Sequence, residues 1–493
     1  MNTIKNGTSV SEYLENIKDD HAALRHFFTT MPKGGDIHNH LTGSAYAETY
    51  FELAALHKMY VVLETGKLYK EKPKGVDGTV IQLYKEMDDL HNHRMALIDK
   101  WSIRNFQPYK YPLGPDEYFF GTFGLLSALT SIQDYDDNFA LGNLANLMHE
   151  LKVRAVFERV QYLEVMGCSP IVPKYCFLGE EQYKELNENL KELVEGHKDL
   201  AILNQLKKIY LLFEKNAEAQ KSAHNYLEFV RNVEKRSNNI PSHLTDNISG
   251  VLCRYQGYAS RGGEPLEVFT QLYIVFKACQ EDNGNLLTGC NLVAAENGEK
   301  SMIYYHLHML MFRVLNEQSG YSNISLHAGE LSLGLVRPEY MIRHIEQAVT
   351  NGHACRIGHG VDLPFESQDY ILDIMRKNNV SVEINLTSNE FILGVKDSEH
   401  PILLYHKAGV PVIISTDDPG ILRTSLTEQY TLAVLRYGFK YDDIKNIVYN
   451  SIKYAFLNEK EKTTQQSNLD TLFDTFEKNI CAALETAQSE NGN

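Results

Sequence analysis

Two histidines one residue apart, His38 and His40, lie in the segment GGDIHNHLTG. Side chains two positions apart on a β-strand point to the same face, so both imidazoles could bind a single metal ion. The segment His91–His93 has the same spacing, and a chain with 19 histidines contains such pairs by chance. The first pair ends a β-branched run, whereas the second lies in a helical pattern. We therefore predict that His38 and His40 belong to a metal site.

Three further polar clusters end β-branched runs in the second half of the chain. SLHAGE contains His327 and Glu330, RIGHG contains His359, and STDDPG contains the adjacent carboxylates Asp417 and Asp418. Adjacent side chains on a strand point in opposite directions, so one carboxylate could bind the metal while the other faces substrate. Each cluster alone also fits a hydrogen-bonded histidine, a helix cap or a turn. Their shared position at strand ends favours a functional site.

The ligand types indicate which metal this site would take. Three imidazoles and one carboxylate form a nitrogen and oxygen set that suits zinc and leaves a coordination position for water. A two-metal barrel hydrolase would be expected to place a bridging residue, often a modified lysine, after its fourth strand. That segment reads GCNLVAAENG here, and the next lysine is Lys300. The sequence therefore predicts one zinc ion per chain.

The elements that would position these residues alternate between short strands and helices, which is the pattern of a closed parallel α/β barrel. Active sites of such (β/α)8 TIM barrels lie at the carboxyl ends of the strands, where the four polar clusters fall. Eight β-branched runs predict the strands: Gly35–Leu41, Glu158–Val165, Gly250–Gln256, Leu286–Val293, Asn323–His327, Ala354–Ile357, Val380–Asn385 and Val410–Ser415.

The spacing of these runs predicts the domain organisation. Residues 1–30 form an N-terminal helical segment, residues 31–460 the barrel, and residues 461–493 a C-terminal helix and tail. Insertions of about 59–115 and 174–247 follow the first and second strands, because both gaps far exceed the roughly thirty residues of one βα unit. Apolar residues at three-to-four spacing predict that both insertions are helical hairpins on the outside of the barrel.

Composition limits the partners and the compartment. The 493-residue chain has a net charge of −16, which disfavours binding to nucleic acid and to anionic membranes. No stretch of 18 apolar residues occurs, so no transmembrane span is predicted. The seven cysteines are scattered without a C-x-x-C pair and predict reduced thiols in the cytoplasm. Export with a signal peptide absent from this sequence is the alternative, and a homodimer is compatible with the sequence.

The order of the motifs carries a family resemblance. MPKGGDIHNHLTG, SLHAGE, RIGHG and STDDPG resemble the adenosine deaminase family of zinc-dependent aminohydrolases, from about Met31 to Phe456. MPKGG and WSIRNFQP are similar to its adenosine-deaminase-related growth-factor branch. The resemblance implies a (β/α)8 barrel, one zinc ion, and hydrolytic replacement of a purine 6-amino group by oxygen.

The resemblance also implies roles for individual residues. Glu330 matches the acid that protonates the purine ring at N1. His359 matches the residue that orients the attacking water, and Asp418 matches the group on the N7 side of the purine. The residues that match the zinc ligands are His38, His40, His327 and Asp417.

The resemblance also implies which residues line the substrate pocket. Ala294 stands where the family places a glycine whose backbone approaches the purine, and Thr42 stands where short members commonly have aspartate. Phe119 and Phe123 fall where the family carries a helical lid over the nucleoside, although an aromatic stripe at helical spacing also fits a core. Trp101, the only tryptophan, would close the ribose side.

The leading prediction is an adenosine deaminase that also accepts 2′-deoxyadenosine and releases inosine or its deoxy form plus ammonia. A deaminase of AMP or a modified adenine nucleoside is one alternative, and a growth-factor-like binding protein with vestigial activity is another. The rim segments contain a single basic residue, Arg423, so a neutral nucleoside is favoured over a phosphorylated one. Arg104, Arg254 and Arg261 are the other candidates for a phosphate clamp.

Overall fold

The computed structural model of this chain describes residues 2–84, 90–241 and 248–491. These parts contain eleven strands: β1 Gly35–His40, β2 Tyr60–Val62, β3 Leu68–Tyr69, β4 Val80–Gln82, β5 Tyr162–Met166, β6 Leu252–Ser260, β7 Leu287–Val293, β8 Ser325–Ala328, β9 Arg356–His359, β10 Ser381–Ile384 and β11 Val412–Ile414. The first ten α-helices are α1 Asn2–Ile17, α2 His21–Thr30, α3 Leu41–Ser44, α4 Ala47–Leu56, α5 Leu90–Lys100, α6 Pro115–Thr130, α7 Asn138–Phe157, α8 Glu180–Glu195, α9 Asp199–Glu214 and α10 Ala217–Asn238. The others are α11 Pro265–Asp282, α12 Glu299–Ile303, α13 Tyr305–Ser319, α14 His344–Thr350, α15 Gln368–Lys377, α16 Leu386–Leu393, α17 Ile402–Ala408, α18 Leu426–Tyr437, α19 Tyr441–Lys453 and α20 Glu459–Asn491.

Eight of the strands form a closed parallel barrel. One run of hydrogen-bonded strands is β1-β5-β6-β7 and the other is β11-β10-β9-β8. Parallel bridges from Asn39 to Asp417 and from Cys290 to Ile324 join the two runs into a ring. The barrel strands are short and mostly buried because helices cover their outer faces. This confirms the predicted (β/α)8 barrel, and a barrel strand overlaps each of the eight predicted runs.

The first insertion differs from the prediction of a helical hairpin. It begins with a three-stranded antiparallel sheet of order β3-β2-β4, and a helix, α5, appears only from Leu90. The connections between these strands contain Gly66, Gly75 and Gly78, all with positive φ, which favour turns over helix. Val61 and Ile81 pair across two of the strands and turn their side chains into a local apolar layer. Residues 85–89 of this insertion lie outside the described residues.

The second insertion is helical, as predicted. It consists of α8, α9 and α10, and α10 packs against α7 and α11 on the outside of the barrel. The buried residues of α10 include Ala223, Tyr226 and Val230, which recur at the spacing of one helical face. Residues 242–247, at the end of this insertion, lie outside the described residues.

Helices at the two ends of the chain pack together beside the barrel. The C-terminal helix α20 contacts α19 and α1 and buries Leu469 and Phe473. It begins at Glu459, close to the predicted boundary at residue 461, and residues 492–493 lie outside the described residues. None of the described helices combines the length and the apolar character that crossing a bilayer requires.

Candidate active site

The carboxyl ends of the barrel strands bring the four predicted metal ligands into one cluster. His38 and His40 lie on β1, His327 lies on β8, and Asp417 follows β11. Their candidate ligand atoms all lie within 4.8 Å of one another. His40 Nε2 is 3.1 Å from His327 Nε2 and 3.2 Å from Asp417 Oδ1. His38 Nε2 is 3.4 Å from the same carboxylate oxygen, so the four side chains are close enough to bind one ion.

The hydrogen bonds on the far side of the imidazoles fit a bound metal. His38 Nδ1 lies 2.6 Å from Glu383 Oε2, and His327 Nδ1 lies 2.9 Å from Asn291 Oδ1. These oxygens only accept hydrogen bonds, so each Nδ1 carries the proton and each Nε2 presents a lone pair to the cluster. His38 Nε2 is buried and has no hydrogen-bond partner in the described part of the chain. Such orientation of histidine ligands by outer oxygens is typical of zinc sites.

Sequence reasoning missed these outer residues. Glu383 forms an ion pair with Arg356, whose Nε is 2.5 Å from Glu383 Oε1. Arg356 also pairs with Glu164. The three charged groups are buried inside the barrel. Their signal in the sequence is a charged or amide residue within an otherwise apolar strand, as in VEI and CNLV. Such a residue needs a buried partner, because an isolated buried charge is costly.

Glu330 lies beside the cluster on the loop after β8. Its backbone N–H donates to Glu296 Oε2 at 2.9 Å, and the preceding Gly329 N–H donates to Glu296 Oε1 at 3.1 Å. Burial raises the pKa of the Glu330 carboxyl well above its usual range, and the negative charges of Asp417 and Glu296 raise it further. Burial and the neighbouring negative charges thus favour the protonated form of the Glu330 carboxyl, which is the form that a general acid requires.

The two adjacent aspartates differ in their electrostatic surroundings. Asp417 has a φ of +65°, which turns the backbone where β11 ends. Burial opposes ionisation of Asp417, but the neighbouring imidazoles of His38 and His40 outweigh burial and lower its pKa well below the usual range. Burial raises the pKa of Asp418, and the charge of Asp417 raises it further. Asp418 Oδ1 has no hydrogen-bond partner among the described residues, so it is free to contact a ligand.

His359 lies at the end of β9 and faces Glu330. Its Nε2 is 3.7 Å from Glu330 Oε1, and its ring centroid is 4.9 Å from that of His38. Burial lowers the pKa of His359 to about 3, against the raising effect of Asp417. His359 is thus a neutral imidazole beside the metal cluster, where it can hydrogen-bond to a group in the cavity.

A cavity of about 390 Å³ opens onto the cluster. Phe119 and Phe123, the predicted lid residues on α6, both contribute to its wall, and so does Ala294. Phe119 also packs against Val361 and Ile392, so it serves both the pocket and a small apolar core. The predicted catalytic and metal-binding residues in the wall are His40, His327, Glu330, His359, Asp417 and Asp418.

A second cavity of about 350 Å³ adjoins the first. Thr42, Phe123 and Tyr258 belong to the walls of both. Its remaining lining is apolar or hydroxyl-bearing, with Ser127 and Ser131 among the polar residues. Neither cavity has a lysine or arginine among the described residues that line it. The combined space is therefore polar in places but offers no cationic side chain.

The three arginines considered as a phosphate clamp line neither cavity. Arg104 Nε is 2.6 Å from Asp99 Oδ1, and Arg254 pairs with Glu461. Arg261 is fully buried and donates to the backbone carbonyl of His327 at 2.8 Å.

The expectation that Trp101 closes the ribose side is wrong. Its indole is buried within the first insertion, where Nε1 donates to the Gly66 carbonyl at 2.8 Å. The side chain belongs to the main apolar core, and the partner of its N–H, Gly66, lies in the turn between β2 and β3. Trp101 is therefore a core residue and does not line either cavity.

Ala294 adopts a strained backbone conformation at the cavity wall. Its φ is +81°, a region in which a Cβ atom costs roughly 1–2 kcal/mol. We expect Ala294→Gly to raise the free energy of unfolding by about 1 kcal/mol, because glycine removes this strain. Urea unfolding of metal-loaded protein measures the change. Ala295→Gly, whose backbone has no positive φ, should instead lower stability, and equal effects of the two substitutions would contradict the explanation.

The second half of the chain is similar to known sequences. Residues 273–472 match the family model described as adenosine deaminase. An adenosine deaminase of Aliivibrio fischeri (strain MJ11) is 29% identical over 188 residues, which are 38% of this chain and 53% of that protein. An adenosine deaminase of Enterococcus faecalis is 32% identical over 151 residues, which are 30% of this chain and 42% of that protein. The matched part of the chain spans about half the length of these curated relatives.

Comparison with solved structures supports the fold. A zinc-bound amidohydrolase from Burkholderia ambifaria has a TM-score of 0.56 at 15% identity, covering 93% of this chain and 94% of that one. An Arabidopsis N6-mAMP deaminase has a TM-score of 0.53 at 18% identity, covering 90% of this chain and 99% of that one. The similarity to the growth-factor branch stays a prediction, because its segments lie outside the matched residues. Residues 273–472, which include Glu330, His359 and Asp418, are thus the part of the chain that is similar to adenosine deaminases in sequence.

Proposed function

We propose that this protein is a zinc-dependent deaminase that converts adenosine and 2′-deoxyadenosine to inosine or deoxyinosine and ammonia. One observation carries the proposal. Glu330, a buried carboxyl with a raised pKa, shares a cavity with a cluster of three histidines and an aspartate whose ligand atoms lie within 4.8 Å of one another. A proton donor beside a metal cluster in a concave pocket is the arrangement expected for metal-assisted hydrolysis.

The metal would be held by His38, His40, His327 and Asp417. Three nitrogen ligands and one oxygen ligand suit zinc, and a catalytic zinc site keeps one further position open. When bound, zinc lowers the pKa of water to roughly 7 and so supplies hydroxide at neutral pH.

The residues around the cluster supply the other requirements of the reaction. Glu330 donates its proton to N1 of the purine, which withdraws electrons from C6 and favours addition of the water oxygen there. The protonated form of Asp418 can donate to N7, because its pKa is also raised by burial. The C6–N bond then breaks and ammonia leaves, so that one water is consumed for each inosine and ammonia formed.

The walls of the two cavities favour a neutral nucleoside. A dianionic phosphate in a chain of net charge −16 needs a local cation to offset repulsion and desolvation, and the described lining offers none. Arg423, the basic residue of the rim, lies 2.6 Å from Glu48 and is partly neutralised by it. The phenyl rings of Phe119 and Phe123 provide an apolar wall for the purine.

We therefore expect kcat/KM for adenosine to exceed that for AMP by at least about 10²-fold, a difference of roughly 2.7 kcal/mol. Steady-state assays of the zinc-loaded protein with adenosine, 2′-deoxyadenosine, AMP and adenine measure the order of preference. Equal or faster turnover of AMP would contradict the nucleoside assignment and favour the nucleotide alternative. Saturable binding of adenosine without turnover would favour the growth-factor-like alternative.

A further inference from the structure

A buried hydrogen-bonded chain lies behind His359, on the side away from the cavity. Asn389 on α16 and His400, just before α17, form it. His359 Nδ1 is 2.9 Å from Asn389 Nδ2, and Asn389 Oδ1 is 3.0 Å from His400 Nε2. His400 Nδ1 is 3.2 Å from the backbone nitrogen of Ile402. All three side chains are buried, and neither Asn389 nor His400 lines the cavity.

The backbone sets the direction of every hydrogen bond in this chain. The N–H of Ile402 can only donate, so His400 Nδ1 accepts. Burial lowers the pKa of His400 to about 3, and a neutral imidazole whose Nδ1 accepts carries its proton on Nε2. His400 Nε2–H then donates to Asn389 Oδ1. The amide of Asn389 is thereby oriented so that Nδ2–H donates to His359 Nδ1.

The last step determines what His359 presents to the cavity. If Nδ1 accepts, the proton of a neutral His359 is on Nε2. This nitrogen is 3.7 Å from Glu330 Oε1 and has no hydrogen-bond partner among the described residues. His359 therefore offers an N–H donor, not a lone pair, to whatever occupies the cavity.

The geometry points to Asn389 and His400 as positioning residues that hold His359 in its Nε2–H tautomer, so that His359 acts on the reacting oxygen as a hydrogen-bond donor. The part of this inference that concerns the reaction rests on the proposed function. The tautomer itself does not, because backbone and side-chain hydrogen bonds determine it without a substrate. A fixed tautomer matters because a donor oriented in advance stabilises developing charge without reorganisation.

The direct test is 15N NMR of the zinc-loaded protein with 15N-labelled histidine, in the absence of substrate. The signals of His359 are assigned by their loss in His359→Gln. We expect a protonated, pyrrole-type Nε2 and an unprotonated, pyridine-type Nδ1. A protonated Nδ1 would overturn the inference. Because this readout needs no turnover, it decides the tautomer even if the protein fails to deaminate adenosine.

The kinetic test uses Asn389→Leu, which is close in size to asparagine and removes the amide. We expect kcat for adenosine to fall about 10- to 100-fold, as for other residues that orient a catalytic group from behind, with KM changed less than about 3-fold and zinc retained. The His359 signals should then show both tautomers. The exposed Asn378→Leu is the matched control and should leave kcat unchanged. A mixed tautomer with unchanged kcat would overturn the positioning role.

Two substitutions of His400 test the same role if Asn389→Leu does not fold. His400→Gln keeps a side-chain N–H that can donate to Asn389 Oδ1, whereas His400→Leu removes the donor and lets the amide rotate. We expect His400→Gln to retain kcat within about 3-fold and His400→Leu to lose about 10-fold or more. Equal losses in both variants, with the wild-type tautomer retained in both, would show a purely structural role.

Discussion

Replacing Asp417 with alanine should remove the metal ion and lower kcat/KM for adenosine by more than about 10²-fold. Loss of a residue that only hydrogen-bonds to a metal ligand already lowers activity by about 10- to 100-fold, and Asp417 is a proposed ligand itself. Asp417 Oδ1 lies within 3.4 Å of both His38 Nε2 and His40 Nε2, so its loss deprives the cluster of its negative charge. Elemental analysis of the purified variant gives the metal content, and ammonia release gives the activity. Thermal unfolding of the variant confirms that it folds.

A second histidine pair in the same chain provides the control for ligand loss. His327→Ala should lose zinc and activity together, whereas His93→Ala should keep both, because His93 lies on α5 in the first insertion. Wild-type protein should contain about one zinc per chain. Glu330, His359 and Asp417 form a second group whose candidate ligand atoms lie within 4.8 Å of one another, which is close enough to bind a second ion. Two tightly bound zinc ions per chain would therefore contradict the single-metal account.

Glu330→Gln should keep the fold and the zinc but lower kcat for adenosine by at least 10²-fold, since general acid catalysis contributes about 10²- to 10⁴-fold. The amide preserves the shape of the side chain, and the backbone N–H of residue 330 still donates to Glu296. The glutamine amide cannot deliver a proton to N1 of the purine, whereas a neutral carboxyl can. Single-turnover rates with zinc-loaded protein separate this loss from any change in binding.

The exposed Glu339→Gln, on the same long loop as Glu330, is the matched control and should have wild-type kcat. A Glu330→Gln variant with near-normal kcat would show that the ring proton comes from another group. Asp418 would then be the first candidate, because its pKa is also raised by burial and its Oδ1 has no hydrogen-bond partner in the described chain.

The barrel could be predicted from the sequence because its physical requirements are local. The barrel strands are mostly buried on both faces, so they appear as short apolar runs, and their polar side chains collect where the runs end. This is why His327, His359 and Asp417 were found at the ends of three separate runs and then lie together at one rim. The ring order β1-β5-β6-β7-β8-β9-β10-β11 follows the order of these strands in the chain.

The parts of the site and the fold that the sequence did not predict depend on contacts between residues far apart in the chain. Glu383 lies 345 positions from His38, and Asn291 lies 36 positions from His327, so no local spacing connects them. The small sheet of the first insertion escaped prediction because its strands are two or three residues long, too short for periodicity to register. The prediction for Trp101 is wrong for the same reason, since the turn between β2 and β3 that accepts its indole N–H could not be predicted.

The central claim is that this protein hydrolyses the 6-amino group of a neutral purine nucleoside. Its most direct test is to incubate zinc-loaded wild-type protein with adenosine in 18O-labelled water and to measure inosine by mass spectrometry together with free ammonia. The account predicts one ammonia for each inosine, one 18O atom in the base of the product, and no product with the Asp417→Ala variant. Unchanged adenosine, or inosine formed at equal rates by wild type and the Asp417→Ala variant, would contradict it.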